Sequence, residues 1–151
     1  MRTRLVRNGL LIVVGVFLAI QFIPMVESNP AERSETPAPP EVAKVLRRAC
    51  YNCHSNETVW PLYAKVAPVS WLVSSDVQEG REELNFSTWL EYNPSQQAEK
   101  RKDIGEEIQE GKMPPWYYVM LHPEARLSND EQALLRSWSL TSDPNPVTPV
   151  R

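Results

Sequence analysis

Apolar positions along the chain follow three different patterns. Leu10 to Ile20 read LLIVVGVFLAI, eleven residues without a polar side chain. The run continues through Phe22, Ile23, Met25 and Val26, broken by Gln21 and Pro24. Leu10 to Val26 is 17 residues, roughly 25 Å of helix at about 1.5 Å per residue, at the lower limit for spanning a bilayer. Residues 27–40, ESNPAERSETPAPP, lose apolar periodicity and read as a Pro-rich tether. From residue 41 apolar side chains return at helical spacing. Val42, Val45, Leu46 and Ala49 form one stripe behind Pro40, a residue suited to a first helical position. Val73, Val77, Gly80 and Leu84 share a face between Ser70 and Phe86. Asn93-Pro94 opens a polar helix running to about Glu110, with Ala98, Ile104, Gly105 and Ile108 as its thin stripe and Gly111 placed to end it. Ser128-Asn129-Asp130-Glu131 is an S-x-x-E capping box that starts a last helix carrying Leu134, Leu135 and Trp138. No alternating stretch demands a strand. The pattern predicts an all-α body whose first and last helices pack together, bringing Trp138 to Leu46.

The organisation expected is a signal anchor or transmembrane segment over 1–26, a linker over 27–40, a helical domain over 41–140 and a disordered tail over 141–151. Charge sharpens the first of these. Arg2, Arg4 and Arg7 precede the apolar run, and no acid appears before Glu27, as in an export signal. Val26-Glu27-Ser28 is a poor cleavage site, so an uncleaved anchor is favoured over a cleaved leader. Basic residues stay inside, which puts the body on the outer side of the membrane. Those three arginines are all the basic residues before Glu27, leaving 13 basic against 19 acidic side chains and a net charge of −6 for the remainder. A nucleic-acid binder would show the opposite balance. Five glycines are few, and no GxGxxG or GxxxxGK[ST] loop occurs. Two Cys and two His make neither a disulfide scaffold nor a three-His zinc centre.

Both cysteines lie in Cys50-Tyr51-Asn52-Cys53-His54, a C-x-x-C-H motif, the attachment signature of c-type haem. Thiols three positions apart lie about one helical turn from each other and can add to the two vinyl groups of one porphyrin. A His directly after the second Cys is then held under the ring with a nitrogen facing the iron. A thioredoxin-like dithiol would open a helix after a strand, whereas this motif ends a helix and strands are lacking. His54 is therefore the candidate proximal ligand and one covalent haem c the candidate cofactor.

Haem iron accepts His, Met, Cys or Tyr on its other face. With both Cys used, the downstream chain offers Met113, Met120 and His122. Met113 stands in Gly111-Lys112-Met113-Pro114-Pro115, 59 residues beyond His54. The prolines stop the preceding helix and stiffen the loop, reducing the entropy lost when a long side chain is held over a metal. Met113 is the preferred distal ligand, ahead of His122, Met120 and an open position.

The pattern resembles monohaem c-type cytochromes over roughly residues 41–140. More closely, CYNCHSNETVWPLYAKVAPVSWLV, EGREELNFSTW, GKMPPWYYVMLHPEARLSNDE and LLRSW are similar to a small bacterial CxxCH haem-binding domain family. The resemblance implies a cytochrome c-like helical domain around one covalently bound haem, preceded by a membrane helix, with His54 and Met113 as axial ligands. It also implies a proline carbonyl behind the proximal imidazole, Pro68 or alternatively Pro61. Trp60, Tyr63, Arg81, Trp89, Trp116, Tyr117 and Tyr118 are candidate donors to the propionates.

Three functions follow from this chemistry. A six-coordinate iron makes an electron carrier serving redox partner proteins, anchored in the inner membrane with the haem domain on the periplasmic side, or free in the periplasm if the leader is cleaved. A peroxidase-like enzyme needs an open iron position and a distal acid–base group, for which His122 is the spare His. A gas or redox sensor needs a partner domain, for which the residues after 140 leave no room. The carrier reading is preferred.

Overall fold

The computed structural model describes residues 2–31, 34 and 36–141. Among them the chain is helical, with no strand: α1 is Arg2–Ile20, α2 Pro40–Ala49, α3 Tyr51–His54, α4 Val69–Glu83, α5 Pro94–Gln109, α6 Trp116–Leu121 and α7 Asn129–Ser139. Three short 3-10 turns, Leu62–Lys65, Phe86–Glu91 and Pro123–Ala125, link these helices. The tail lies outside the described residues from position 142 on.

The local signals act where they stand. Pro40 occupies the first turn of α2. Asn93 and Ser128 each accept from the backbone N–H three residues on, while Gln96 and Glu131 reach back to the cap N–H, giving a capping box on both α5 and α7. Gly111 takes φ +69° immediately after α5, a conformation that glycine adopts without steric cost.

Packing follows the predicted stripes with two exceptions. Val42, Val45, Leu46 and Ala49 of α2 join Leu135 and Trp138 of α7 and Ile104 and Ile108 of α5 in one core, extended by Tyr51, Leu84, Phe86 and Trp89. Trp138 is buried in the same cluster as Leu46, so the expected pairing of first and last body helices holds. The main partner of α7 is nonetheless α5. They meet at Gly105, where a Cβ would overlap Ser139 Oγ and lie 3.0 Å from Ser139 Cβ. Ala98 is exposed because the first turns of α5 stand clear of the core. Leu134 is 36% exposed at the edge of α7. Arg48 at the end of α2 bonds Glu124 O, Arg126 O and the Glu131 carboxylate, tying α2 to the start of α7.

Helix α1 has a mean hydropathy of 1.8 and none of it is buried. By length and composition it can cross a membrane, and a signal sequence near an amino terminus meets the same criterion. Among its described residues, the segment after it carries no helix and lies along the body. Val26 O accepts from Ser74 Oγ, and Asn29 Nδ2 donates to Thr58 O. Ala31 O accepts from Asn56 Nδ2, and the buried Thr36 hydroxyl donates to Phe86 O. The stretch read as a tether is thus a strap on the domain among its described residues.

Candidate functional site

Cys50 ends α2 and begins α3. Its φ of −123° breaks the helix, and its carbonyl accepts from the N–H of both Cys53 (3.2 Å) and His54 (3.0 Å). The motif therefore folds as one tight turn on the end of α2, its thiols unpaired. Burial pushes the Cys50 thiol up to about 12, with the neighbouring Cys53 adding to the rise. Burial, and then Asp76, push Cys53 up to about 11. Both are neutral thiols at physiological pH, the opposite of a dithiol oxidoreductase, which works by lowering a thiol pKa.

The His54 ring is held from behind. Nδ1 lies 2.8 Å from Gly80 O and 3.1 Å from Leu84 O. Two carbonyl acceptors require the proton on Nδ1, which leaves the Nε2 lone pair available as a ligand. Desolvation lowers the His54 pKa against the opposing effect of those two carbonyl bonds, favouring the neutral ring that binds metal. The expected proline carbonyl is not the partner. Pro68 caps the far end of α4, and its carbonyl accepts from Trp71 N in the first turn. Pro61 lines the cleft described below. Gly80 supplies the acceptor because only a residue without a Cβ lets α4 come this close to α3: a Cβ there would sit 2.9 Å from Cys53 O. Phe86 meets the His54 ring edge-on at 6.4 Å, and stacks in turn on Tyr51 at 4.8 Å and on Trp89 at 6.3 Å.

Beside Cys53 lies a narrow cleft of about 90 Å³. Its walls are the 52–63 segment, the Val69–Val77 face of α4, and α6 with His122. Val69, Leu72, Val73, Val77 and Leu121 make it apolar. Polar groups gather at His122. Its Nδ1 donates to Glu124 Oε1 at 3.0 Å and its Nε2 accepts from Tyr63 OH at 2.6 Å. Tyr118 stacks on the His122 ring at 4.4 Å, and its hydroxyl accepts from Asn52 Nδ2 at 2.9 Å. Burial raises the Tyr118 pKa to about 12 and raises Tyr63 as well. Asp76 is raised by burial even though Tyr117 donates to it, and Tyr117 is raised by burial and by that carboxylate.

The structure places the remaining candidates unevenly. Cys53, Tyr63, Tyr117, Tyr118 and His122 share the cleft. Met113 sits in the turn after α5, its backbone N–H donating to Glu107 O and its side chain 40% exposed; it is not among the cleft-lining residues. Met120 and Trp116 are exposed on α6, and Trp89 is fully buried in the core. Arg81 spends its guanidinium on the domain, bonding Ser55 O, Ser28 O, Asn29 Oδ1 and Thr58 Oγ1. Sequence reasoning missed Gly80, Leu84, Phe86 and Asn52 as parts of the site. Helical spacing had put Gly80 and Leu84 on one face, the signal available for these two.

A haem-binding domain family model matches residues 15–141. The chain belongs to that family. No curated protein and no solved structure matches it. Membership supports haem as the cofactor, and the residues fit that group in their chemistry: a neutral imidazole with one tautomer held, two neutral thiols on one turn and an apolar cleft beside Cys53.

Proposed function

We propose that this protein is a membrane-anchored electron carrier holding one haem c through thioethers at Cys50 and Cys53, with His54 and Met113 as axial ligands. The observation carrying the reading is the His54 imidazole, bound at Nδ1 by Gly80 O and Leu84 O directly after a CxxC pair. Held there, the group would supply one-electron redox chemistry. Around it the chain binds, orients and excludes water. The two carbonyls hold the imidazole and strengthen it as a donor, while the Phe86 stack and the α4 face keep the site dry. Met113 is carried in a short turn braced by the Lys112 and Met113 N–H groups on Glu107 O and ended by Pro115 at the N-cap of α6. A soft thioether held on the iron by Met113 would raise the reduction potential relative to other ligand pairs. Arg2, Arg4 and Arg7 keep the amino terminus inside, and the haem domain faces the periplasm and its redox partner proteins.

A second reading rests on His122, which lines the cleft where Met113 does not. It would ligate, or serve as distal acid–base group in an enzyme with an open iron position. Against ligation, both of its ring nitrogens are engaged, by Tyr63 and Glu124. Absorption spectroscopy of the oxidised protein decides. A weak far-red sulfur-to-iron band, lost in Met113→Ala and kept in His122→Ala, is expected, and the Met113→Ala protein should bind carbon monoxide. Acid and organic extraction should leave haem on the wild-type chain and strip it from the Cys50→Ala, Cys53→Ala double variant. Absence of the band in wild type rejects Met113, and release of haem by extraction rejects covalent attachment.

A further inference from the structure

We propose that the body is seated in the bilayer surface through the turn carrying Leu62 and Val66, next to the point where α1 leaves the membrane; this rests on the anchor reading. After Arg7, α1 has 13 residues to Ile20, about 20 Å of rise, against a hydrocarbon core of about 30 Å. The end of α1 therefore lies within the interfacial layer or deeper, and whatever is fastened to it lies there too. Gln21 is the fastening. Its Nε2 donates to Phe17 O (2.9 Å) and Ala67 O (3.2 Å), and its Oε1 accepts from Ala67 N (2.9 Å). This pairing satisfies both the carboxamide and the Ala67 peptide groups in a layer where an unpaired polar group is costly.

The surface around Ala67 has the composition of a membrane seat. Leu62 is 83% exposed and Val66 45%, while Phe22 and Ile23 on the adjoining chain are 87% and 54% exposed. Lys65 stands between Leu62 and Val66, exposed, where its stem can lie on the apolar surface and its ammonium reach the headgroups. Leu62, Val66 and Phe22 line neither the cleft beside Cys53 nor the hollow at the clasp, which Ile23 shares with Glu27 and Lys65, and an exposed apolar set continuous with the end of α1 suits a lipid boundary. The strap keeps the seat in place. Bonds from Ser74 to Val26 and from Arg81 to Ser28 and Asn29 continue the attachment past the clasp, so the domain does not swing on a free linker. The cleft beside Cys53, lined by Val59, Pro61, Tyr63, Val69, Leu72 and Val73 but not by Leu62 or Val66, is then held at a set height above the lipid.

The test uses the full-length holoprotein in phosphatidylcholine vesicles containing a phospholipid with a diazirine in its acyl chain. After illumination, adducts are mapped by mass spectrometry. Adducts are expected on α1 and on peptides bearing Leu62 or Val66, and not on the polar α5. Leu62→Glu with Val66→Glu should lose the body adducts while α1 stays labelled and the haem spectrum is unchanged. Gln21→Leu, which keeps the membrane segment apolar, should likewise lose them. Labelled α1 with unlabelled Leu62 and Val66 in the wild type overturns the seat and leaves the anchor standing. An unlabelled α1 overturns both.

Discussion

Replacing Gly80 by Ala tests the geometry of the proximal site at its narrowest point. The new Cβ would lie 2.9 Å from Cys53 O, 3.3 Å from Cys53 C and 3.4 Å from Cys53 Cβ. Two of these are backbone atoms of the motif turn, so no rotamer change relieves the contact. Restoring ordinary separation from the carbonyl needs ~0.5 Å of movement between α3 and α4. That movement stretches His54 Nδ1···Gly80 O, now 2.8 Å, towards the limit of a hydrogen bond. Overpacking of this kind costs about 1–3 kcal/mol, and weakening the bond adds about 0.5–1.5 kcal/mol. Alanine's better helix propensity returns about 1 kcal/mol. The expected net loss is about 0.5–3.5 kcal/mol, read as a lower urea midpoint at unchanged slope. A second readout separates the site from general stability. An imidazole less firmly bound at Nδ1 is a weaker donor, so the reduction potential should rise. If Gly80→Ala is as stable as wild type or more so, and its potential is unchanged, the close approach of α4 to the motif is wrong.

Trp138→Ala should lose ~3–5 kcal/mol in the same unfolding assay, because the ring is 3% exposed in the core that joins α2, α5 and α7. Trp138→Phe should lose less, since the buried indole N–H has no acceptor to forfeit; equal losses would contradict that. Glu131 is held below the usual carboxylate range first by the Ser128 N–H and also by Arg48. A depressed folded-state pKa gives stability that is present above the unfolded value of about 4.3 and lost as pH falls through the folded value. Glu131→Gln should therefore flatten the loss of stability as pH falls below about 4.3, measured by urea unfolding at each pH, and an unaltered pH profile would reject the assignment.

Local chemistry was legible in the chain without its fold. The capping boxes at Asn93 and Ser128 close over three residues, Gly111 ends α5 through its own φ, and the α2 stripe follows from 3.6-residue periodicity. The CxxCH turn is likewise local, and so is the apolar run of α1. Each depends on neighbours within about one or two helical turns, whose spatial relation the helix itself sets.

What tertiary structure decided are the contacts that cross long stretches of chain. Gly80 O reaches His54 across 26 residues and Leu84 O across 30, where the resemblance had pointed to a proline. Ala98 and Leu134 satisfy the helical period yet stay exposed, since periodicity defines a face but not how far a neighbouring helix covers it. Arg81, offered as a propionate donor, instead binds the strap and the post-motif loop, and the Pro-rich stretch lies on the body rather than hanging free. The sequence by itself determined that the body is helical, where α2, α5 and α7 begin and which motif points to haem, because those depend on short-range sterics and on reactive groups, whereas α6 carried no cap or period that marked it. Only the packed structure decided which carbonyl orients the imidazole and where the amino-terminal segment runs, because backbone acceptors occur at every residue and only close packing selects among them.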